Sequence, residues 1–109
     1  MQLPVVDTYS FALDDEQSTL HIAVHDRKFD VGGVRVFRDA LEEHWHDGIQ
    51  KVVVDFAKVE FIDSSGVGAL LVILKKLGPK TPPVRIVNAH NAVRDILVLL
   101  RLDKIFDIA

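Results

Sequence analysis

Phe61-Ile62-Asp63-Ser64-Ser65-Gly66-Val67-Gly68 is the stretch on which the reading of this chain turns. Asp and Ser are helix-start residues, and an apolar run at helical spacing follows them. Val67, Leu70, Leu71, Leu74 and Leu77 carry that spacing to Gly78, placed where a C′ glycine closes a helix. The free amide N–H groups of a first helical turn, with the helix dipole, favour an oxygen or an anion. A serine hydroxyl in that place is exposed, preorganised and able to hold a phosphate against backbone donors. Gly66 and Gly68 keep side chains out of the way, so a partner or a kinase active site can approach closely. The residues alone leave a plainer reading open, in which Ser64 or Ser65 is only the N-cap of the helix.

Working outward, Lys51-Val52-Val53-Val54-Asp55-Phe56 is a short continuous β-branched run, as expected for a strand covered on both faces. Val34, Phe37, Leu41 and Trp45 recur at helical spacing ahead of it, and Asp47-Gly48 closes that segment. Trp45 reads as a core anchor. Further back, Tyr9 to Leu13 and Leu20 to Val24 alternate and pair as a hairpin across the acidic turn Asp14–Ser18. Downstream, Gly78-Pro79-Lys80-Thr81-Pro82-Pro83 is the strongest punctuation in the chain. After it come a strand at Val84 to Val87, a helix marked by Val93, Ile96, Leu97 and Leu100, and a last strand or helix turn over Lys104 to Ile108. Val72 and Leu99 lie off the main stripes, and burial against the sheet is expected for each.

Strand and helix alternating in this way specify βαβ units with parallel pairing and right-handed crossovers. With the leading hairpin, the expected fold is α/β, a mixed and mostly parallel sheet of four to five strands with three to four helices. Functional groups in such sheets gather at the carboxyl ends of strands. Lys28-Phe29-Asp30 and Ile62-Asp63-Ser64-Ser65-Gly66 are the two loops in that position.

The composition narrows the function. A length of 109 residues suits one compact domain, and a hydrophobic share of 49% builds a core without staples. Net charge is −3 and no Lys/Arg block exceeds two residues, which argues against nucleic acid, since its binding rests on neutralising phosphates. With no cysteine there is no disulfide or thiolate chemistry. Met1-Gln2-Leu3-Pro4 carries no secretory pattern, and Ile96 to Leu100 is too short to span a bilayer, so a cytoplasmic protein is expected.

Enzyme and metal chemistry find little support. Neither Ser64 nor Ser65 sits in a Gly-x-Ser-x-Gly elbow, and no Walker motif exists, so no catalytic residue is assigned. His44 and His46 point to different faces of a helix, and His21 and His25 stand about 13 Å apart on an extended strand, so no metal is assigned. His90 reads as a loop or helix-start residue. No cofactor is implied.

The apolar strand Val52–Phe56, the block Asp63-Ser64-Ser65-Gly66-Val67-Gly68-Ala69-Leu70-Leu71, the Asn88 region and the closing Val98-Leu99-Leu100-Arg101-Leu102-Asp103-Lys104-Ile105-Phe106 together resemble the STAS family, specifically its bacterial anti-anti-sigma branch. The resemblance runs over nearly the whole chain and implies a single such domain across residues 1–109. It implies that Ser64 is the phosphoacceptor, with Ser65 the second choice, and that Asp30 stands beside the modified serine. It also implies the partners: a serine-kinase-type anti-sigma factor bound by the unphosphorylated form, and a phosphatase that resets the switch. Free-standing members are usually monomers. One departure is visible, since the family commonly has Gly-Glu-Leu-Asp before the first helix and this chain has Arg27-Lys28-Phe29-Asp30.

A phosphate on Ser64 adds about −1.5 to −2 charges. The helix N-terminus is expected to stabilise that charge while Asp63 and Asp30 repel it, leaving the fold intact and blocking a close-packed partner. The same family resemblance also covers a different use, as an unphosphorylated scaffold or accessory subunit of a transporter or stress-signalling complex.

Overall fold

The computed structural model describes residues 8–78 and 84–109. The Gly78–Pro83 punctuation therefore lies, apart from Gly78, outside the described residues, as does the Met1–Pro4 segment. Strands β1 (Tyr9–Leu13) and β2 (Thr19–Val24) form the expected hairpin. Its turn is held by the Asp14 carboxylate, which accepts the Ser18 and Thr19 amides at 2.8 and 3.2 Å. These two bonds hold the carboxyl below the usual range.

The chain continues through β3 (Lys28–Phe29), α1 (Val34–His44), β4 (Lys51–Asp55), β5 (Phe61–Ile62), α2 (Ser64–Leu77), β6 (Arg85–Val87), α3 (Asn91–Leu99), a 3-10 turn (Leu102–Lys104) and β7 (Asp107–Ile108). The main sheet has five strands in the order β1-β2-β4-β6-β7, parallel except for β1. Strand β3 pairs with β5 in a separate two-stranded parallel ladder. Neither two-residue strand was legible in the sequence, because two residues carry no alternation. The closing segment Lys104–Ile108 holds both structures that its pattern allowed, the end of a helical turn and a strand.

One face of the sheet is buried. Leu20, Ile22 and Val24 of β2, Val52 and Val54 of β4, and Ile86 of β6 join Phe37, Leu41, Leu70, Ile73, Val93 and Leu97 of the helices in a single apolar cluster. The opposite face is open: a shallow groove there is lined by Ser10, Ala12, His21, Ala23, Val53, Asp55 and Val87. The expectation that Lys51–Phe56 is covered on both faces is corrected accordingly. Val53 sits half-buried between two buried valines, so a run of three valines mimics a two-sided strand while only alternate members reach the core.

Other details depart from the sequence pattern. Helix α1 stops at His44, three residues before Asp47-Gly48, where Trp45 turns extended (ψ 139°). Trp45 still packs on the core edge, with the Lys76 ammonium 5.6 Å from its ring centre. On α2 the buried stripe is Gly66, Ala69, Leu70, Ile73 and Leu77, and Leu71 is exposed. Leu99 is 81% exposed and Leu100 53%, against the burial expected for the first and the core role given to the second. Residues 97 to 100 are four consecutive apolar side chains on a single-sided helix end, and only Leu97 faces the core. Val72 is half-buried against the core, in line with its expected burial. Gly78 closes α2 at φ 69°, a conformation glycine adopts freely, with its amide on the Leu74 and Lys75 carbonyls. No helix among the described residues is long and apolar enough to cross a membrane.

Candidate functional site

The site is built on the small ladder. Phe29 and Ile62, a register pair, are fully buried and anchor β3 and β5 in the core. Both chains then leave the ladder side by side, one into Asp30 and α1, the other into Asp63 and α2. The pairing thus brings together the two loops that the sequence had separated by more than thirty positions.

Asp63 is the N-cap of α2, in extended conformation (φ −114°, ψ −174°). Its Oδ1 accepts the Gly66 amide at 2.9 Å, the Ncap-to-N3 bond that an aspartate at a helix start forms. Its Oδ2 accepts the Val31 amide at 3.1 Å, across the ladder. One carboxylate therefore caps one helix and ties down the loop that leads into the other. The Gly66 amide above all holds this carboxyl below the usual range, against a smaller opposing cost of desolvation, with the Val31 and Ser65 amides adding to the effect.

This geometry closes the plainer reading and corrects one expectation. Neither serine caps the helix; Asp63 does, which the Asp-x-x-Gly spacing could have signalled. The first-turn amides expected to cradle a phosphate are already directed at Asp63, so the helix start offers an added anion far less than a bare N-terminus does.

Ser64 is the first residue of α2 and is exposed, and its hydroxyl has no hydrogen-bond partner among the described residues. Ser65 is half-buried. Gly66 is buried, and its role differs from the one expected. A β-carbon there would lie 2.1 Å from the Phe29 carbonyl oxygen and 2.8 Å from Ile62, so Gly66 lets α2 sit against the ladder and gives no access to a visitor. Gly68 lies half-buried two residues further on, where a β-carbon would meet only the Arg38 guanidinium at 3.9 Å.

Asp30 is half-buried at the end of β3. Its carbonyl accepts the Gly33 and Val34 amides at 3.0 and 3.1 Å, which starts α1, and its carboxylate accepts the Gly32 amide at 3.1 Å. Tyr9, which the sequence gave no reason to place here, donates its hydroxyl to the Gly33 carbonyl at 2.9 Å. Burial first, then the charges of Asp26 and Asp30, push the phenol above its ordinary value.

His90 begins α3 and donates Nε2–H to the Ala57 carbonyl at 2.6 Å. Asn88, at φ 60°, donates from Nδ2 to Asp55 Oδ1 at 3.1 Å and joins the ends of β4 and β6. Among the described residues no group of three or more His, Asp or Glu side chains could hold a metal ion. What the site presents is one exposed hydroxyl, without a hydrogen-bond partner among the described residues, at a helix start capped by the Asp63 carboxylate.

Comparison with known proteins gives a consistent result. The STAS domain model matches residues 17–109. A STAS-domain containing protein of Pseudomonas aeruginosa (strain UCBPP-PA14) is 29% identical over 96 residues, covering 88% of this chain and 91% of its own. The anti-sigma factor antagonist SpoIIAA in its unphosphorylated form superposes with a TM-score of 0.75 at 20% identity, covering 93% of this chain and 87% of that one. The phosphorylated form of the Bacillus cell fate determinant SpoIIAA gives 0.68 at 19% identity, with 93% and 90% covered.

Proposed function

The chain belongs to the STAS domain family, and from that premise we propose that it is an anti-sigma factor antagonist switched by phosphorylation of Ser64. The observation that carries this reading is the division of labour at the start of α2. Asp63 does the capping, so the Ser64 hydroxyl has no structural duty and stands exposed for modification. Ser65, half-buried, is the second choice. That the structurally similar SpoIIAA is known in unphosphorylated and phosphorylated forms supports the same reading.

In the unmodified state the protein binds a serine-kinase-type anti-sigma factor and so frees a sigma factor or an equivalent output. The kinase adds a phosphate to Ser64, with about −1.5 to −2 charges, beside the carboxylates of Asp63 and Asp30. A close-packed partner must then desolvate that charge. A penalty of about 2.7 kcal/mol weakens binding roughly a hundredfold. A phosphatase restores the docking form. The protein acts in the cytoplasm, as a monomer when free, and performs no catalysis of its own.

The test is affinity capture from the native lysate with wild type, Ser64→Ala and Ser64→Asp. Recovery of a serine-kinase-type protein by the first two, and its loss with Ser64→Asp, is the expected result. Recovery of the same membrane-transport or scaffold proteins by all three would overturn the switch and make the chain an accessory subunit.

A further inference from the structure

The capping geometry raises a question about the modified state: what holds the phosphate? Asp63 occupies the first-turn amides of α2 and adds a negative charge next to Ser64. The answer lies on the neighbouring helix. Helices α1 and α2 start from the ends of the paired strands β3 and β5 and pack on one another. Arg38 and Gly68 are each the fifth residue of their helix, and they meet across the seam, the Arg38 Nη2 standing 3.9 Å from where a Gly68 β-carbon would be.

Arg38 is exposed and, among the described residues, makes no ion pair or hydrogen bond. The acidic residue one turn along the same flank, Glu42, is already paired with Lys76. Ser64 precedes Gly68 by four residues, so their side-chain positions lie on one face of α2, about 5–6 Å apart. Because Gly68 has no side chain, the only group within 4 Å of where its β-carbon would be is the Arg38 guanidinium, on the face that also carries Ser64.

We infer that Arg38 is the positioning residue that receives the phosphate of modified Ser64, holding it along the α1–α2 seam. The inference rests on Ser64 being the modified residue. An arginine fork matches a phosphate with two parallel hydrogen bonds, and charge-assisted bonds of this kind are the stronger class. Modification then changes two charges on the docking face at once: it adds the phosphate and withdraws the free guanidinium from any partner carboxylate that used it.

The experiment installs phosphoserine at position 64 of the full chain by genetic encoding and follows the phosphorus resonance against pH. A phosphate paired with a guanidinium keeps its dianionic form to lower pH, so Arg38→Ala should raise its second ionisation, with an increase in proton affinity of about threefold. Arg38→Lys should restore part of the effect, and Arg35→Ala, one turn earlier on α1, should leave the titration unchanged. Identical titrations for wild type and Arg38→Ala overturn the inference, as does an effect confined to Arg35→Ala. The phosphate is placed chemically, so the pairing is read whether or not a cellular kinase modifies Ser64. Loss of the switch in the capture experiment is thereby distinguishable from loss of the Arg38 contact.

Discussion

Gly66 passes so close to Phe29 that a β-carbon on it would lie 2.1 Å from the Phe29 carbonyl oxygen. Backbone, not a flexible side-chain tip, blocks the space. Gly66→Ala is therefore expected to destabilise the fold by about 1–3 kcal/mol, although alanine is the better helix former. Gly68→Ala meets only the end of Arg38 and should be neutral or stabilising by about 0.5–1 kcal/mol. Urea unfolding of the two variants checks this, and equal effects would refute the assignment of different roles to the two glycines.

Asp63 supplies a pH test. Its carboxyl is held below the usual range, chiefly by the Gly66 amide, so the charged form is favoured by folding. The resulting stability is present above the ordinary carboxylate value and is lost as pH falls through the depressed folded value. Asp63→Asn should lower the urea midpoint near neutrality, and the gap from wild type should close in strong acid. A gap that persists undiminished would mean that the capping charge contributes nothing.

Tyr9 is the single tyrosine, so the alkaline absorbance titration of tyrosinate reports it alone. Burial, Asp26 and Asp30 raise its phenol above the ordinary value of about 10. The folded state thus favours the protonated phenol, and this contribution is complete below the ordinary value and is lost as pH rises through the raised one. Asp30→Asn should bring the midpoint down. Tyr9→Phe, which removes the bond to the Gly33 carbonyl, should cost about 0.5–1.5 kcal/mol.

Two leucines on α3 test the one-sided reading of the sheet and its helices. Leu97 is fully buried and Leu99 is 81% exposed. Leu97→Ala should cost about 2–5 kcal/mol, and Leu99→Ala should stay within about 0.5 kcal/mol. Comparable losses in thermal unfolding would show that Leu99 has a covered environment.

Much of the architecture was legible because periodicity reports burial. Tyr9–Leu13 alternates, Phe37 and Leu41 repeat at helical spacing, and Gly78 ends α2 where a glycine was expected. The failures share a physical cause: periodicity says nothing about which neighbour covers a face. Val53 inside a valine run and Leu99 inside an apolar helix end read as core, yet no element lies over them. At the site, the exposure of Ser64 and the placement of Asp30 and Asp63 at adjoining strand ends were anticipated. The cap, left open for Ser64 or Ser65 by the residues alone, belongs to Asp63. The Tyr9 and Arg38 contacts needed tertiary proximity, since Gly33 and Gly68 are 24 and 30 positions away from them.

The two-residue ladder also governs where this chain tolerates changes in length. Register Lys28↔Phe61 and Phe29↔Ile62 sets Asp30 level with Asp63, and a slip of one residue would turn Phe29 or Ile62 out of the core. An insertion between Phe29 and Val31, or between Ile62 and Gly66, would break the Asp63 bond to Val31 or the cap itself. An insertion at the exposed Asp26 falls upstream of the ladder, whereas the Ala57-Lys58 turn is pinned by the His90 bond to the Ala57 carbonyl and by the buried Phe56 and Val59 on either side of it. A recognition peptide or reporter tag grafted at Asp26 would leave the spacing of the two helix starts unchanged.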